Sequence, residues 1–153
     1  MTALIVVASA LLGLAVGSFL NVVIWRVPRH ESVVSPPSHC PGCDAEIAPY
    51  DNIPVLSWCI LRGRCRRCGV RISVRYPLVE AGTALLWALL ALRFHDSFAL
   101  PAYLLLAAGL VALSMIDLDT YLLPNRIVYP LTVAVVVLFG VAAFVGHDGA
   151  AFR

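Results

Sequence analysis

The sequence predicts an all-α membrane protein of about four transmembrane helices, with a small cytosolic zinc ribbon inserted after the first helix. Two observations support this fold class. The 153 residues are 61% hydrophobic and only 13% charged, with a mean hydropathy of +0.89, which indicates a bilayer as the solvent. The charges are also concentrated, because residues 26–75 hold eight of the eleven basic residues, all arginine, together with two paired cysteine motifs.

Four apolar segments are long enough to cross a hydrocarbon core of about 30 Å, which takes roughly 17–25 helical residues. The first has no basic region before it and no small-residue cleavage site after it, so a retained anchor is expected instead of a signal peptide. The second is the shortest and carries Glu80 near one end. The predicted spans are Thr2–Trp25, Tyr76–Leu92, Phe98–Ile116 and Ile127–Val145.

The distribution of arginine predicts the orientation of the chain. Since cytosolic loops carry the excess of positive charge, loop 26–75 is expected in the cytosol and the N-terminus outside. The later segments then alternate, which brings Asp117 to the cytosolic end of the third spanning helix. The predicted organisation is a first transmembrane helix at 1–25, a cytosolic zinc-binding loop at 26–75, and transmembrane helices 2–4 at 76–153.

Two cysteine pairs in this loop have the spacing of a structural zinc site. Cys40-Pro-Gly-Cys43 is separated by 21 residues from Cys65-Arg-Arg-Cys68, and two such pairs supply the four thiolates of a tetrahedral Zn²⁺. A site of four thiolates has no open position for water, so a structural role is expected, in which the metal supplies much of the folding energy of the loop. The alternative is a thiol oxidoreductase that uses one pair for redox chemistry. Cys59 is expected to be a buried apolar residue and not a ligand.

The charge of the loop predicts what it contacts. Eight arginines against four carboxylates leave the loop at +4, and a metal with four thiolates brings this value near +2. Such a charge attracts anionic headgroups mildly. Membrane lipid is therefore an expected partner, and nucleic acid is not.

Polar residues inside the apolar segments are candidates for function because they are costly in lipid. Gly13, Gly17, Ser18 and Asn21 form a small and polar stripe at helical spacing on the first helix. Small residues let helix backbones approach closely, so this stripe is expected to be a packing seam. Glu80 leaves two alternatives open: a carboxylate that reaches the interface, or a buried acid that faces a cavity.

Two carboxylates stand at the end of the third predicted helix. Hydrolysis of a peptide bond by paired carboxylates needs one protonated and one ionised acid that share a water. Asp117 and Asp119 are roughly 200° apart around a helix, so they do not converge on one water. One of them would need a partner acid from another helix.

These motifs resemble those of the bacterial type IV prepilin peptidases, membrane aspartyl proteases that also N-methylate their products. In that family the first catalytic aspartate stands seven residues before the proline of a Leu-Pro-Asn/Asp element, which implies that Asp117 is catalytic. Asp119 and Glu80 are supporting candidates. The matching stretches are Gly17–Pro28, Ser38–Cys43, Asp51–Ser57, Arg64–Cys68, Arg75–Glu80 and Asp117–Asn125.

The resemblance implies that the leader of type IV prepilins or pseudopilins is cleaved at the cytosolic face of the inner or plasma membrane. It also implies that the new N-terminus is then methylated from S-adenosylmethionine. Residues 76–153 would hold the first half of the aspartyl protease core. No Gly-rich methyltransferase loop is visible, so the methyl donor follows from the resemblance alone and its binding residues are not identified.

The second catalytic aspartate of the family lies in a Gly-x-Gly-Asp element, which these 153 residues do not contain. Asp148 follows Gly146-His and does not fit that element, so it is expected to be a solvated tail residue. We therefore expect a truncated peptidase that needs a C-terminal half and has little or no activity by itself. The alternatives are a non-enzymatic zinc-binding membrane module or partner subunit, and a membrane thiol oxidoreductase.

Overall fold

A computed structural model describes residues 1–146, and within that range the chain is all-helical. The predicted fold class is confirmed, since one long helix precedes and three follow a loop that contains one short α-helix, the 3-10 helices Val27–Arg29 and Pro49–Asn52, and the four paired cysteines. Asp148 lies outside the described residues. The α-helices are α1 (Thr2–Arg26), α2 (Leu56–Ile60), α3 (Arg75–Phe94), α4 (Leu100–Thr120) and α5 (Asn125–Val145).

Helices α1, α3, α4 and α5 are each long and apolar enough to cross a membrane. Their outward faces carry exposed large apolar side chains, such as Leu85, Leu89 and Leu92 on α3. A lipid bilayer accepts such faces, and a helix satisfies its own backbone hydrogen bonds there. The chain is therefore a multi-pass membrane protein.

Helix α4 extends further than the sequence predicted, ending at Thr120 and not at Ile116. Tyr121 ends it in a left-handed conformation (φ 53°), and the Tyr121 N–H donates to the carbonyl of Asp117 at 2.8 Å. This left-handed cap satisfies a carbonyl that would otherwise have no partner. As a result, both Asp117 and Asp119 lie in the last helical turn.

The seam between α1 and α3 is confirmed. A Cβ atom on Gly13 would lie 2.8 Å from a backbone carbon of α3, and one on Gly17 would lie 2.7 Å from the Cα of Glu80. Only glycine permits so close an approach of two helix backbones. Further along the seam, the Asn21 side chain donates to the carbonyl of Tyr76 at 3.2 Å. These contacts show that α1 and α3 run antiparallel.

The remaining helices pack in alternating directions. The Tyr103 ring of α4 stacks on Phe94 at the end of α3, with ring centroids 4.3 Å apart, and meets Phe139 of α5 edge-on at 5.0 Å. Nearer the other end of α4, Leu131 of α5 fills the space over Gly109. The cysteine loop and the α4–α5 turn therefore lie at the same end of the bundle. Helices α1 and α4 end there, and helices α3 and α5 begin there.

Candidate functional site

The paired cysteines converge as their spacing predicts. The four Sγ atoms lie within 4.8 Å of one another, and those of Cys40 and Cys68 are 3.7 Å apart. A tetrahedral Zn²⁺ about 2.3 Å from each sulfur requires sulfur–sulfur separations of roughly 3.8 Å. The cluster of Cys40, Cys43, Cys65 and Cys68 could thus hold such an ion with little rearrangement.

The two cysteine pairs lie in separate turns of the same geometry. The N–H groups of Cys40 and Cys65 each donate at 2.9 Å to the carbonyl five residues later. Their sulfurs each accept the N–H two residues later at 3.4 Å. The residue that follows each pair is left-handed, with φ 55° at Asp44 and 71° at Gly69, a conformation that Asp tolerates and Gly adopts freely.

The turn geometry favours a thiolate at one sulfur and not at another. Backbone hydrogen bonds, chiefly from Cys68, lower the pKa of Cys65 to about 6. A backbone hydrogen bond from Val70 also favours the Cys68 thiolate, but desolvation and the neighbouring sulfurs outweigh it and raise the pKa of Cys68. Four adjacent thiolates repel one another, so full deprotonation of the cluster needs a cation at its centre.

Cys59 was expected to be buried, and that prediction is wrong because the residue is exposed. Its exclusion from the metal cluster agrees with the prediction. Helix α2 has only five residues, and only one of its faces is covered by neighbouring residues. Ser57 occupies that face, where its hydroxyl donates to the carbonyl of Tyr50 at 3.0 Å and accepts the N–H of Ile53 at 3.1 Å.

Helix α2 supports the second cysteine pair through Trp58. The indole N–H donates to the carbonyl of Ile72 at 3.2 Å. The ring lies against Gly63, where a Cβ would come within 2.8 Å of the indole. Gly63 is also left-handed, with φ 65°, so a larger residue there would meet both backbone strain and a clash.

The loop is attached to the helix bundle at two points. At the end of α1, the buried Arg26 donates to the carbonyls of Ser32 and Pro36, both at 2.8 Å. At the start of α3, the carboxylate of Glu80 accepts the N–H of Val55 at 2.7 Å. The four-cysteine module is therefore held against the membrane helices by direct hydrogen bonds.

Glu80 is the buried acid that faces a cavity, the second of the two alternatives. Its exposure is 8%, and it holds Val55 in a γ-turn in which the Leu56 N–H donates to the carbonyl of Pro54. Val55 has φ 60°, an uncommon conformation for a β-branched residue. Glu80 thus stabilises a strained turn of the loop.

A cavity of about 630 Å³ lies between α1, the start of α3 and the cysteine loop. Ser18, Asn21 and Glu80 line it from the helices, and Tyr50 and Trp58 line it from the loop. Its volume is within the range of roughly 300–1,000 Å³ that small-molecule sites occupy. Both aspartates at the end of α4 lie outside the set of residues that lines it.

The two aspartates at the end of α4 have different surroundings. Arg75 forms an ion pair with Asp119 at 2.6 Å and also donates to the carbonyl of Met115 at 3.2 Å. The carboxylate of Asp117 is exposed, and among residues 1–146 it has no hydrogen bond or ion pair. One carboxylate is therefore held in place, and the other is free to meet a ligand or a second acid.

Sequence reasoning missed two of these contacts. Arg75 was counted only as part of the basic loop, because an arginine at the start of a spanning helix is ordinary positive-inside flanking. The partner of Glu80 is the backbone N–H of Val55, and a backbone group leaves no signal in the sequence. Only the approach of distant segments reveals either contact.

Comparison with known proteins assigns the chain to a family. The bacterial peptidase A24 N-terminal domain matches residues 11–94. A prepilin leader peptidase/N-methyltransferase of Myxococcus xanthus is 55% identical over 119 residues, covering 78% of this chain and 36% of the relative. A type 4 prepilin-like proteins leader peptide-processing enzyme of Escherichia coli O78:H11 is 47% identical over 131 residues, covering 74% and 49%. A prepilin leader peptidase/N-methyltransferase of Stutzerimonas stutzeri is 42% identical over 149 residues, covering 82% and 52%. No solved structure matches the chain.

The chain spans between about a third and about half of the length of these relatives. The matched domain contains the four clustered cysteines and Glu80, whereas the two aspartates lie beyond it. It covers more than half of the chain and includes the whole seam between α1 and α3. The chain therefore belongs to the bacterial peptidase A24 family, whose N-terminal domain it carries at residues 11–94.

Proposed function

We propose that this chain provides the metal-binding module and the first catalytic aspartate of an enzyme that cleaves the leader of type IV prepilins or pseudopilins and methylates the new N-terminus. The observation that carries the proposal is the similarity to relatives named for both activities. The free carboxylate of Asp117 at the loop end of the bundle supports it. The chain's substrate is then a prepilin or a pseudopilin.

Asp117 acts as one member of a carboxylate dyad. In such a dyad one acid is protonated and the other ionised, and together they activate a water for attack on the peptide carbonyl. The second acid comes from a Gly-x-Gly-Asp element, which is absent from these 153 residues. A C-terminal half that carries this element would complete the dyad, so these 153 residues by themselves should have little or no peptidase activity.

Asp119 has a supporting role. Its ion pair with Arg75 joins the end of α4 to the start of α3, which fixes the turn that carries Asp117. Because Asp119 is engaged and lies on a different side of the helix, it is not the second acid of the dyad. Glu80 has a separate supporting role as the anchor of the cysteine loop.

The metal is Zn²⁺, held by Cys40, Cys43, Cys65 and Cys68 in a structural role. The separation of 3.7 Å between two of the sulfurs supports this ion. Four thiolates leave no coordination position for substrate, so the ion supplies folding energy and no step of catalysis. The methyl group comes from S-adenosylmethionine, as the N-methyltransferase relatives suggest.

The chain lies in the inner or plasma membrane with the N-terminus outside and the cysteine loop in the cytosol. The eight arginines of residues 26–75 support this orientation, because positive charge is retained on the cytosolic side. The functional parts are a first transmembrane helix at 1–25, the cytosolic loop at 26–75, and the first half of the protease core at 76–153. Asp117 then faces the cytosol together with the metal site.

Cleavage of a purified prepilin in liposomes tests the proposal. The chain is assayed alone and mixed with a separately expressed fragment that carries a Gly-x-Gly-Asp element. We expect cleavage only in the mixture, because only the mixture contains both acids. Asp117→Asn should abolish it, whereas the matched variant Asp119→Asn should reduce it several-fold.

Two results would contradict the peptidase assignment. If the mixture does not cleave although the chain is folded and holds one zinc ion, the chain is better described as a non-enzymatic zinc-binding membrane module or partner subunit. If the cysteines lose the ion and cycle reversibly between dithiol and disulfide, the thiol oxidoreductase alternative is favoured. Equal loss of cleavage in both aspartate variants would contradict the separate roles of Asp117 and Asp119.

A further inference from the structure

The cavity between α1, the start of α3 and the cysteine loop has no role in peptide cleavage as proposed above. It is lined by Ser18, Asn21 and Glu80 but not by Asp117 or Asp119. Cys40 and Cys65 of the metal cluster also line it, but four thiolates around a zinc ion would leave no coordination position for a ligand. A second site is therefore available for a second chemistry.

The cavity is lined by one buried acidic side chain. Glu80 is 92% buried, because only 8% of its surface is exposed, and its carboxylate accepts a hydrogen bond from Val55. Ser18 and Asn21 lie beside it, but none of the ion pairs found among residues 1–146 includes it. A buried carboxylate without a cation is costly. The carboxylate is therefore suited to a positively charged ligand.

The rest of the lining suits the other parts of such a ligand. Four aromatic residues line the cavity, and aromatic faces attract both organic cations and purine rings. Arg71, which is exposed, also lines the cavity and can meet a carboxylate group. The four aromatic residues are Trp25, Tyr50, Trp58 and Tyr76.

We infer that this cavity binds S-adenosylmethionine, with the carboxylate of Glu80 facing the positive charge of the methyl donor. The inference rests on the proposed function, since an N-methyltransferase needs a methyl donor, and it identifies where that donor binds. The sulfonium ion matches the acid, and adenine matches the aromatic rings. The methyl-transfer site is then separate from Asp117.

Binding to the full zinc-loaded chain in detergent tests this site without any prepilin. Isothermal titration is carried out with S-adenosylmethionine and with S-adenosylhomocysteine, whose sulfur is neutral. Glu80→Gln removes the charge but keeps an oxygen that can accept the Val55 N–H, so the loop should remain attached. The control is Asp96→Asn, an equal loss of charge at the opposite end of the bundle, where Asp96 contacts only His95 among the ion pairs found.

We expect Glu80→Gln to weaken binding of S-adenosylmethionine by at least about tenfold, the effect of losing one contact between opposite charges. The same variant should change binding of S-adenosylhomocysteine by less than about twofold, because that ligand has no sulfonium charge. Asp96→Asn should leave the binding of both ligands unchanged. Equal weakening of both ligands, or no binding by the wild-type chain, would overturn the inference.

Photolabelling of the wild-type chain guards against misfolding of the variant. Ultraviolet irradiation with radiolabelled S-adenosylmethionine should label peptides that line the cavity, such as those with Trp58 or Tyr76. Labels confined to other peptides would overturn the inference. Prepilin cleavage is measured separately, so a chain that cleaves in the mixture but binds no methyl donor would refute this site and leave the peptidase function intact.

Discussion

The seam between α1 and α3 leads to a sharp prediction for Gly17→Ala. A Cβ at this position would lie 2.7 Å from the Cα of Glu80 and 3.2 Å from its carbonyl oxygen. Carbon atoms prefer separations of about 3.5–4.0 Å, so the helices would have to part by roughly 0.8 Å or more. The obstacle is backbone and cannot rotate away, as a flexible side chain could.

The expected cost can be separated from helix propensity by a matched variant. Replacing a helical glycine by alanine gains up to about 1 kcal/mol at any exposed position. Gly82→Ala on α3 has only this gain, because no atom lies within 4 Å of the added carbon. Overpacking costs roughly 1–3 kcal/mol, so Gly17→Ala should be less stable than Gly82→Ala by about that amount.

The assay is the free energy of unfolding in mixed micelles, measured by titration with SDS and followed by circular dichroism. The free energies of unfolding of the two variants are compared with each other, because the gain in helix propensity from glycine to alanine is the same in both and cancels in the difference. Methyl-donor binding should also weaken in Gly17→Ala, because Glu80 moves with α3. Equal stability of the two variants would refute the close contact of α1 and α3.

Three further predictions concern the loop end of the bundle. Asp117→Asn should stabilise the fold by about 0.3–1 kcal/mol, because an unpaired carboxylate in the last turn opposes the helix dipole, whereas Asp119→Asn should destabilise it by up to about 1 kcal/mol through loss of a partly exposed ion pair. The same SDS titration measures both stability changes, and changes of the same sign in the two variants would contradict this prediction. Gly63→Ala should weaken zinc retention against a chelator more than Gly69→Ala does, because both residues are left-handed but only Gly63 has an indole within 2.8 Å; equal retention would argue against the Trp58 contact. Removal of the metal should expose the amides of residues 26–75 to hydrogen exchange while the long helices keep their protection, and unchanged exchange in the loop would show that the ion is dispensable.

Local patterns in the sequence were enough for much of the fold. Long apolar runs predict spanning helices because each helix satisfies its own hydrogen bonds and needs only an apolar solvent. The glycine stripe predicted the α1 seam, since the absence of a side chain is itself a local property. The four cysteines were identified from spacing alone, because two residues between ligands are what a turn around one metal requires.

Contacts between distant segments depended on the tertiary structure. The sequence left Glu80 between two alternatives, and the approach of Val55 from the loop decided in favour of burial. Cys59 was predicted to be buried from its residue type, yet a five-residue helix has only one covered face and Ser57 takes it.

Asp117 and Asp119 illustrate both kinds of information. Their separation around a helix follows from 100° per residue, so the sequence by itself determined that they do not act as a pair. Which of them is engaged depended on Arg75, a residue 44 positions away from Asp119 that only the packing of α3 against α4 brings within 2.6 Å. The cavity has the same origin, since its walls come from three separate segments whose approach no local pattern encodes.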